Sequence, residues 1–331
     1  MVKELQNNNK ISDIFLLKKK EILKTKNNDN YLSVVLSDCS GDIEGKLWRI
    51  GENSYNDLTE GKPVVITGRI DKFKDKLQIN IEKISCLNNP SEEILNSLIP
   101  STDKDISKLY QSILSLKNSL TNKYLIKLID KVLFKDKEFS DKFKLAPAAS
   151  KLHHAYRGGL LEHTLSVTRL CDMFSKKYPE INRDLILTGA LLHDIGKVEE
   201  YDNITFKRTT TGKLLGHISI GVVSVDRKIS TIKNFPDKLE QAVKHLILSH
   251  HGELEWGSPV QPCTVEAVML HYADNIDSKI ETFSDRNSEK TGWQYNKSLR
   301  RDVLLEDYVE EEIFQPDSTK EKQKKIKTLF D

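Results

Sequence analysis

Leu191-Leu-His-Asp-Ile-Gly-Lys197 decides how this chain is read. It closes the apolar run Leu185-Ile-Leu-Thr-Gly-Ala-Leu-Leu192 and places a histidine beside an aspartate at the C-terminal end of a helix. A cationic histidine suits that end, but the helix dipole opposes an aspartate there, so Asp194 wants a compensating cation. A bound metal would supply one, with imidazole and carboxylate forming a mixed nitrogen and oxygen site.

Working outward, all nine histidines lie between His153 and His271. His163 follows Gly158-Gly-Leu-Leu-Glu162 and opens an amphipathic helix, His217 opens another after Leu214-Leu-Gly216, and His250-His251-Gly252 ends a third. Asp274 follows Leu270-His-Tyr-Ala273 on an otherwise apolar helix, where a carboxylate needs a partner. Singly, each histidine reads as an ordinary side chain; as one ordered set they point to a metal site. His245, five residues before His250, is turned away from it and reads as a packing or capping residue. His271, three residues before Asp274, reads as a support for the ligands, and His153 and His154 as surface or supporting residues, with lining of a substrate channel as the alternative.

The chain of 331 residues is 38% hydrophobic and 30% charged, with a net charge of +2, and has the composition of a soluble globular protein of about two domains. No run approaches the ~18 apolar residues of a membrane span, and the polar start MVKELQNNNK is not a signal peptide, so a cytoplasmic protein without a membrane partner is expected. The four cysteines are far apart, form no CxxC, and are expected to be reduced and mostly buried. Charge leans slightly basic over the first 150 residues and slightly acidic beyond, too little to argue for nucleic acid alone.

Before the histidine window the period changes. Leu32, Val34 and Leu36 alternate, as do Ile43 and Leu47, and Val64–Ile70 and Leu77–Ile81 repeat the pattern between turn-rich segments. About five short strands, with bends expected at Gly45 and Gly68, predict a small Greek-key barrel of OB-fold type over 1–90, with Asn53–Gly61 joining its third and fourth strands. Lys46, Trp48, Arg69, Lys72, Phe73 and Lys74 could form a stacking and phosphate-tracking face. Alternatively, Trp48 and Phe73 fill a seam against the helical part. Capping signals at Ser91 and Ser101 open a helical connector over 91–150, and nearly every later segment reads helical. Residues 316–331 read as a polar, lysine-rich tail.

The order His163, His193-Asp194, His217, His250-His251, Asp274 resembles the HD superfamily of metal-dependent phosphohydrolases, in its two-metal subgroup. The resemblance implies an all-α HD domain over 151–315. It implies His163, His193, Asp194 and Asp274 around one ion, and His217, His250 and His251 around a second that shares Asp194. Lys197 would contact a substrate phosphate, with Asp194 and Lys197 as the catalytic pair. Gly252-Glu-Leu-Glu-Trp-Gly257 stands where the HD-GYP subgroup carries Gly-Tyr-Pro, which argues against cyclic di-GMP. With the barrel and the entry through Leu145-Ala-Pro-Ala-Ala149, the whole chain resembles the YhaM family of bacterial 3′-to-5′ exoribonucleases.

That resemblance implies hydrolysis of single-stranded RNA to nucleoside 5′-monophosphates. Single-stranded DNA and a homo-oligomer are left open, and Arg157 joins the candidate RNA contacts. Two divalent ions would both generate a nucleophile at neutral pH and absorb charge on the phosphate. So many imidazoles disfavour Mg2+ and suit Mn2+ first, with Fe2+, Co2+ and Ni2+ as alternatives. Two other classes fit the residues: an HD phosphohydrolase of small nucleotides whose barrel serves oligomerisation, and a non-catalytic RNA-binding module with a structural metal. Seven ligands over two ions leave positions open for water and substrate, which weighs against the second.

Overall fold

The computed structural model describes residues 1–51, 55–74, 76–150, 154–283, 292–296 and 299–305. Its first unit, Met1–Lys279, contains a barrel and a helical body; Ile280–Asp331 form the second. The barrel strands are β1 (Lys10–Lys24), β2 (Asn30–Asp38), β3 (Gly41–Trp48), β4 (Pro63–Phe73) and β5 (Lys76–Cys86). They close in the order β1-β2-β3-β5-β4, with β1 returning to pair with β4 and β3 running parallel to β5, the connectivity of an OB-fold. The alternating residues behave as the period requires: Leu32, Val34, Leu36, Ile43 and Leu47 face inward. The β4–β5 register slips between Thr67 and Gly68, at one expected bend, and Gly45 is buried on the inward face of β3. Leu58, on the connection to β4, joins the barrel core.

Four helices follow, α1 (Glu92–Leu98), α2 (Ile106–Asn118), α3 (Lys123–Ile129) and α4 (Lys137–Leu145), then α5 (Gly159–Lys177) and α6 (Arg183–Leu192). The short α7 (Lys197–Glu200) precedes α8 (Thr210–Ile229), α9 (Asp237–Ser249) and α10 (Val265–Phe283). Ser91 caps α1 by accepting from the Ile94 N–H. The expected cap at Ser101 is not one: Asp105 caps α2, accepting from Ser107 and Lys108, while Ser101 bridges to Arg157. A local oxygen closer to the apolar run takes the cap, and the Ser101 backbone is occupied elsewhere.

Two further expectations are corrected. Helix does not continue through the C-terminal region, because β6 (Gly292–Asn296) and β7 (Arg301–Leu305) pair as an antiparallel hairpin in the second unit. Of the four cysteines, all free, only Cys171 is buried; Cys39 and Cys263 are exposed. The tail 316–331, Asn53 and His153 lie outside the described residues. No helix among the described residues is long and apolar enough to cross a membrane.

The helical core packs α5 against α6 through Leu161, Leu165, Ile186, Ala190 and Leu191. Outside that core, Asp172 on α5 accepts from Arg183 Nε at 2.8 Å and from Lys176 Nζ at 2.6 Å, and Arg183 also reaches Ser119. Burial pushes the Asp172 carboxyl up, but Lys176 and Arg183 hold it below its ordinary value. Such a group contributes stability above its unfolded pKa, about 3.9 for Asp, and loses that contribution as pH falls further. The melting-temperature gap between wild type and Asp172→Asn should therefore shrink as pH is lowered through about 4; a gap constant from pH 6 to pH 3 would refute the clamp.

Candidate metal centre

Five helices deliver the proposed ligands to one place. His163 sits in the second turn of α5, His193 and Asp194 follow the last residue of α6, His250 and His251 follow α9, and Asp274 lies on α10. His217 is placed by a break: Gly216 (φ 70°, ψ 154°) interrupts α8, so His217 begins the second segment. Gly196 lets that segment approach, since a Cβ there would lie 2.0 Å from the His217 carbonyl oxygen. Glycine at this point is a matter of contact between two elements.

Asp194 stands at the centre. Its Oδ2 lies 3.4 Å from His163 Nε2 and 3.3 Å from His193 Nε2, while Oδ1 lies 3.4 Å from His217 Nε2 and 3.6 Å from His250 Nε2. Asp274 Oδ1 is 3.2 Å from His163 Nε2. Two sets of donor atoms, His163/His193/Asp274 and His217/His250/His251, each fall within 4.8 Å of one another. Lys197 Nζ is 2.6 Å from Asp194 Oδ2.

The far side of each imidazole has a polar neighbour, hydrogen-bonded in four of the five. The Nδ1–H groups of His193, His250 and His251 donate to the carbonyls of Ala190 (2.8 Å), Ile247 (2.7 Å) and Trp256 (2.9 Å). His163 Nδ1 lies 2.7 Å from Asp277 Oδ2, and His217 Nδ1 lies 2.9 Å from Glu200 Oε2. With Nδ1 holding the proton, the Nε2 lone pairs of His193, His250 and His251 face the centre, the arrangement metal-binding imidazoles adopt. Asp194 Oδ1, His217 Nε2 and His250 Nε2 are buried without hydrogen-bond partners. Buried polar atoms left unpaired are costly, and a divalent cation would satisfy all three. These residues could hold a divalent metal.

The two sides differ electrostatically. Burial lowers His217 and His250, and burial with the neighbouring His250 lowers His251 to about 4, so all three are neutral at pH 7, as metal ligation requires. Burial opposes charge on His163, yet Asp194, Asp274 and Asp277 hold it well above the ordinary imidazole value. Asp194 and Asp274 are themselves held far down against burial, the first chiefly by Lys197 and the second by His163. Burial likewise works against the Lys197 charge, but Asp194 and Asp274 raise it.

Asp277 and Glu200 are the participants that sequence reasoning did not single out. Asp277 had a signal, lying three residues after Asp274 on one helical side. His154 is buried, with Nε2 3.2 Å from Asp277, so it supports the site and does not lie on the surface. His271 donates from Nδ1 to the His250 carbonyl at 2.9 Å, and His245 Nε2 accepts from the Cys263 N–H at 2.9 Å, a support and a cap respectively.

On the barrel, Trp48 and Phe73 are 42% and 53% exposed, so they do not fill the seam against the helices; Leu16, Leu98, Ile99 and Phe206 do. Lys46 Nζ lies between the two rings, 5.8 Å and 5.2 Å from their centres, Tyr31 packs on Trp48 at 4.9 Å, and Lys74 lies over Phe73. Arg69 is exposed and shares a cross-strand row with Lys46 through Asn80, and Lys72 is exposed beside Phe73. Arg157 is elsewhere, half-buried against the connector with Nη1 on Asn96 Oδ1 at 3.1 Å.

Residues 160–279 match the HD domain family, and residues 17–87 match the OB-fold nucleic acid binding domain. The chain is thus an OB-fold joined to an HD domain. Over 275 residues it is 34% identical to the 3′-5′ exoribonuclease YhaM of Oceanobacillus iheyensis, covering 81% of this chain and 84% of that protein. The chain belongs to the YhaM family of 3′-5′ exoribonucleases. Among solved structures, a crystal structure of a domain of replication protein A from Methanococcus maripaludis is 20% identical, covers 26% of this chain and 91% of its own, and has a TM-score of 0.23. The solution structure of the second OB-fold domain of that protein gives 21%, 28%, 97% and 0.23 respectively.

Because Asp277 fixes the tautomer of His163, Asp277→Ala should weaken Mn2+ binding by about 10–100-fold while Asp277→Asn retains more of it. Calorimetric titration of the two variants checks this, and equal affinities for wild type and Asp277→Ala would refute the role.

Proposed function

We propose that this chain is a metal-dependent 3′-to-5′ exoribonuclease that hydrolyses single-stranded RNA, with single-stranded DNA as a second substrate, to nucleoside 5′-monophosphates in the cytoplasm. The observation that carries the reading is the split of Asp194, one oxygen toward each set of donor atoms. In this reading residues 151–315 hold the chemistry, 91–150 connect, and 1–90 bind RNA.

His163, His193 and Asp274 would hold one divalent ion, and His217, His250 and His251 a second, with Asp194 shared. Mn2+ suits this imidazole-rich set better than Mg2+. Two such ions supply a water-derived nucleophile at neutral pH and charge for the phosphate. The protein's own part is to keep five Nε2 atoms converged and to hold the Lys197 ammonium, 2.6 Å from Asp194, where a phosphate oxygen would meet it. On the barrel, Trp48, Phe73 and Tyr31 would stack bases while Lys46, Lys74, Lys72 and Arg69 follow the phosphates.

With Mn2+, a labelled RNA with a free 3′ end should shorten stepwise while a 3′-blocked strand stays intact. Asp194→Ala should abolish that shortening and leave RNA binding in place. Cleavage of the blocked strand would overturn the polarity, and turnover by Asp194→Ala would overturn the site. Trp48→Ala should raise KM for RNA, by the equivalent of about 1–3 kcal/mol per lost stack, with little change in kcat; an unchanged KM would remove the barrel face from recognition.

A further inference from the structure

The Nδ1 anchors fall into two kinds. Three are carbonyls that the helical body supplies by itself, those of Ala190, Ile247 and Trp256. The other two, for His163 and His217, are carboxylates: Asp277, held by Ser166 of α5 and by a chain of contacts to the connector, and Glu200, whose contacts lead to the barrel. One histidine on each side of Asp194 is anchored in this way.

For His217 the route runs through the loop 201–209. Glu200 is 1% exposed; its Oε2 lies 2.9 Å from His217 Nδ1, a close charged contact outside hydrogen-bond geometry, and its Oε1 lies 3.1 Å from Arg208 Nε. Arg208 belongs to a compact loop in which Asp202 accepts from the N–H groups of Ile204 (3.1 Å) and Thr205 (2.7 Å), and Thr209 donates back to the Glu200 carbonyl at 2.9 Å. The tip of that loop is seated on the barrel. Phe206, at φ 55° and 3% exposed, packs against Leu16 of β1 with Leu98 and Ile99, and Lys207 Nζ reaches Glu60 Oε2 at 2.7 Å and the Lys18 carbonyl. The loop then leads directly into α8, which carries His217.

A second route, within the helical body, serves His163. Asp277 Oδ2 also contacts His154, whose other nitrogen lies 2.8 Å from the Tyr156 hydroxyl, and that hydroxyl donates to buried Glu162 at 3.1 Å. Glu162 also accepts from Thr102 (2.8 Å) and Lys104, both in the connector.

We propose that the barrel is a positioning element of the metal centre, acting through Phe206, Arg208 and Glu200 on the orientation of His217, in addition to any contact it makes with RNA. If the loop leaves the barrel, Arg208 leaves with it, Glu200 loses the cation opposite its outer oxygen, and His217 loses the carboxylate held beside its Nδ1. An outer partner of this kind is worth about 10–100-fold in metal affinity. A purely modular barrel would instead change only RNA affinity. The inference rests on the metal reading above.

The test uses the full-length chain, with Mn2+ binding followed by calorimetry and turnover followed on bis(p-nitrophenyl) phosphate, a diester too small to reach the barrel. Phe206→Ala should leave a cooperative melt but weaken one class of Mn2+ site by about tenfold, with the other class much less affected. Turnover of the small diester should fall at subsaturating Mn2+ and recover at high Mn2+. Should Phe206→Ala fail to fold, the surface exchange serves: Glu60→Lys should weaken the same site several-fold, and adding Lys207→Glu should restore it. A folded Phe206→Ala, or failing that Glu60→Lys, with both Mn2+ classes at wild-type affinity overturns the coupling and leaves the metal reading standing. A wild-type protein that takes up no Mn2+ overturns the metal reading and the coupling together.

Discussion

A carboxylate almost wholly removed from water, with imidazole nitrogens facing both of its oxygens, is the constraint on which the helical body is built. Asp194 is 2% exposed, and burying an ionised carboxylate is tolerated only with close compensation. That compensation comes from several elements at once: Lys197 just downstream, His163 from α5, His217 from α8 and His250 beyond α9. Helices that differ in sequence and length are therefore required to meet at one point, and the glycines at 196 and 216 are the concessions the backbone makes so that they can.

The centre's rigidity lies mostly in what stands behind the converging imidazoles. A histidine whose Nδ1 is bonded to a carbonyl of its own turn has little freedom left, and His193 and His250 are held so by Ala190 and Ile247. His163 and His217 depend instead on side-chain carboxylates brought by tertiary packing, so their placement reports on the state of segments well separated in sequence. This divides the centre into a part that is fixed locally and a part that is fixed only when the whole first unit is assembled.

How much of this was legible in the sequence follows from the same division. The strands of the barrel were readable because one side of each is buried and the other is not, as Leu32, Val34 and Leu36 show. Asp194, His250 and Asp274 were readable because each is a polar residue where local structure alone would disfavour it or leave it at a helix end. Glu200 was not, since Glu199 and Glu200 are adjacent and indistinguishable by type; only the docking of the loop buries one of them. Asp277 was within reach, being spaced from Asp274 as His271 is, but its pairing with His163 crosses from α10 to α5. Ser101 and Asp105 were equally good caps by composition, and the pairing of Ser101 with Arg157 decides between them. The hairpin of β6 and β7 was missed because helical periodicity upstream was extended past its end.

The closure of the barrel has a consequence of its own. β1 is 15 residues long and pairs with β2 along its second half and β4 along its first, while β3 and β5 seal the remaining gap. The two pairings of β1 meet at Leu16, and β3 meets β5 over Glu44–Lys46, so the barrel closes through a bent strand and a short seam. Rings and lysine ammonium groups of the kind Trp48, Phe73 and Lys46 present would meet any base and any phosphate alike, without distinguishing one base from another.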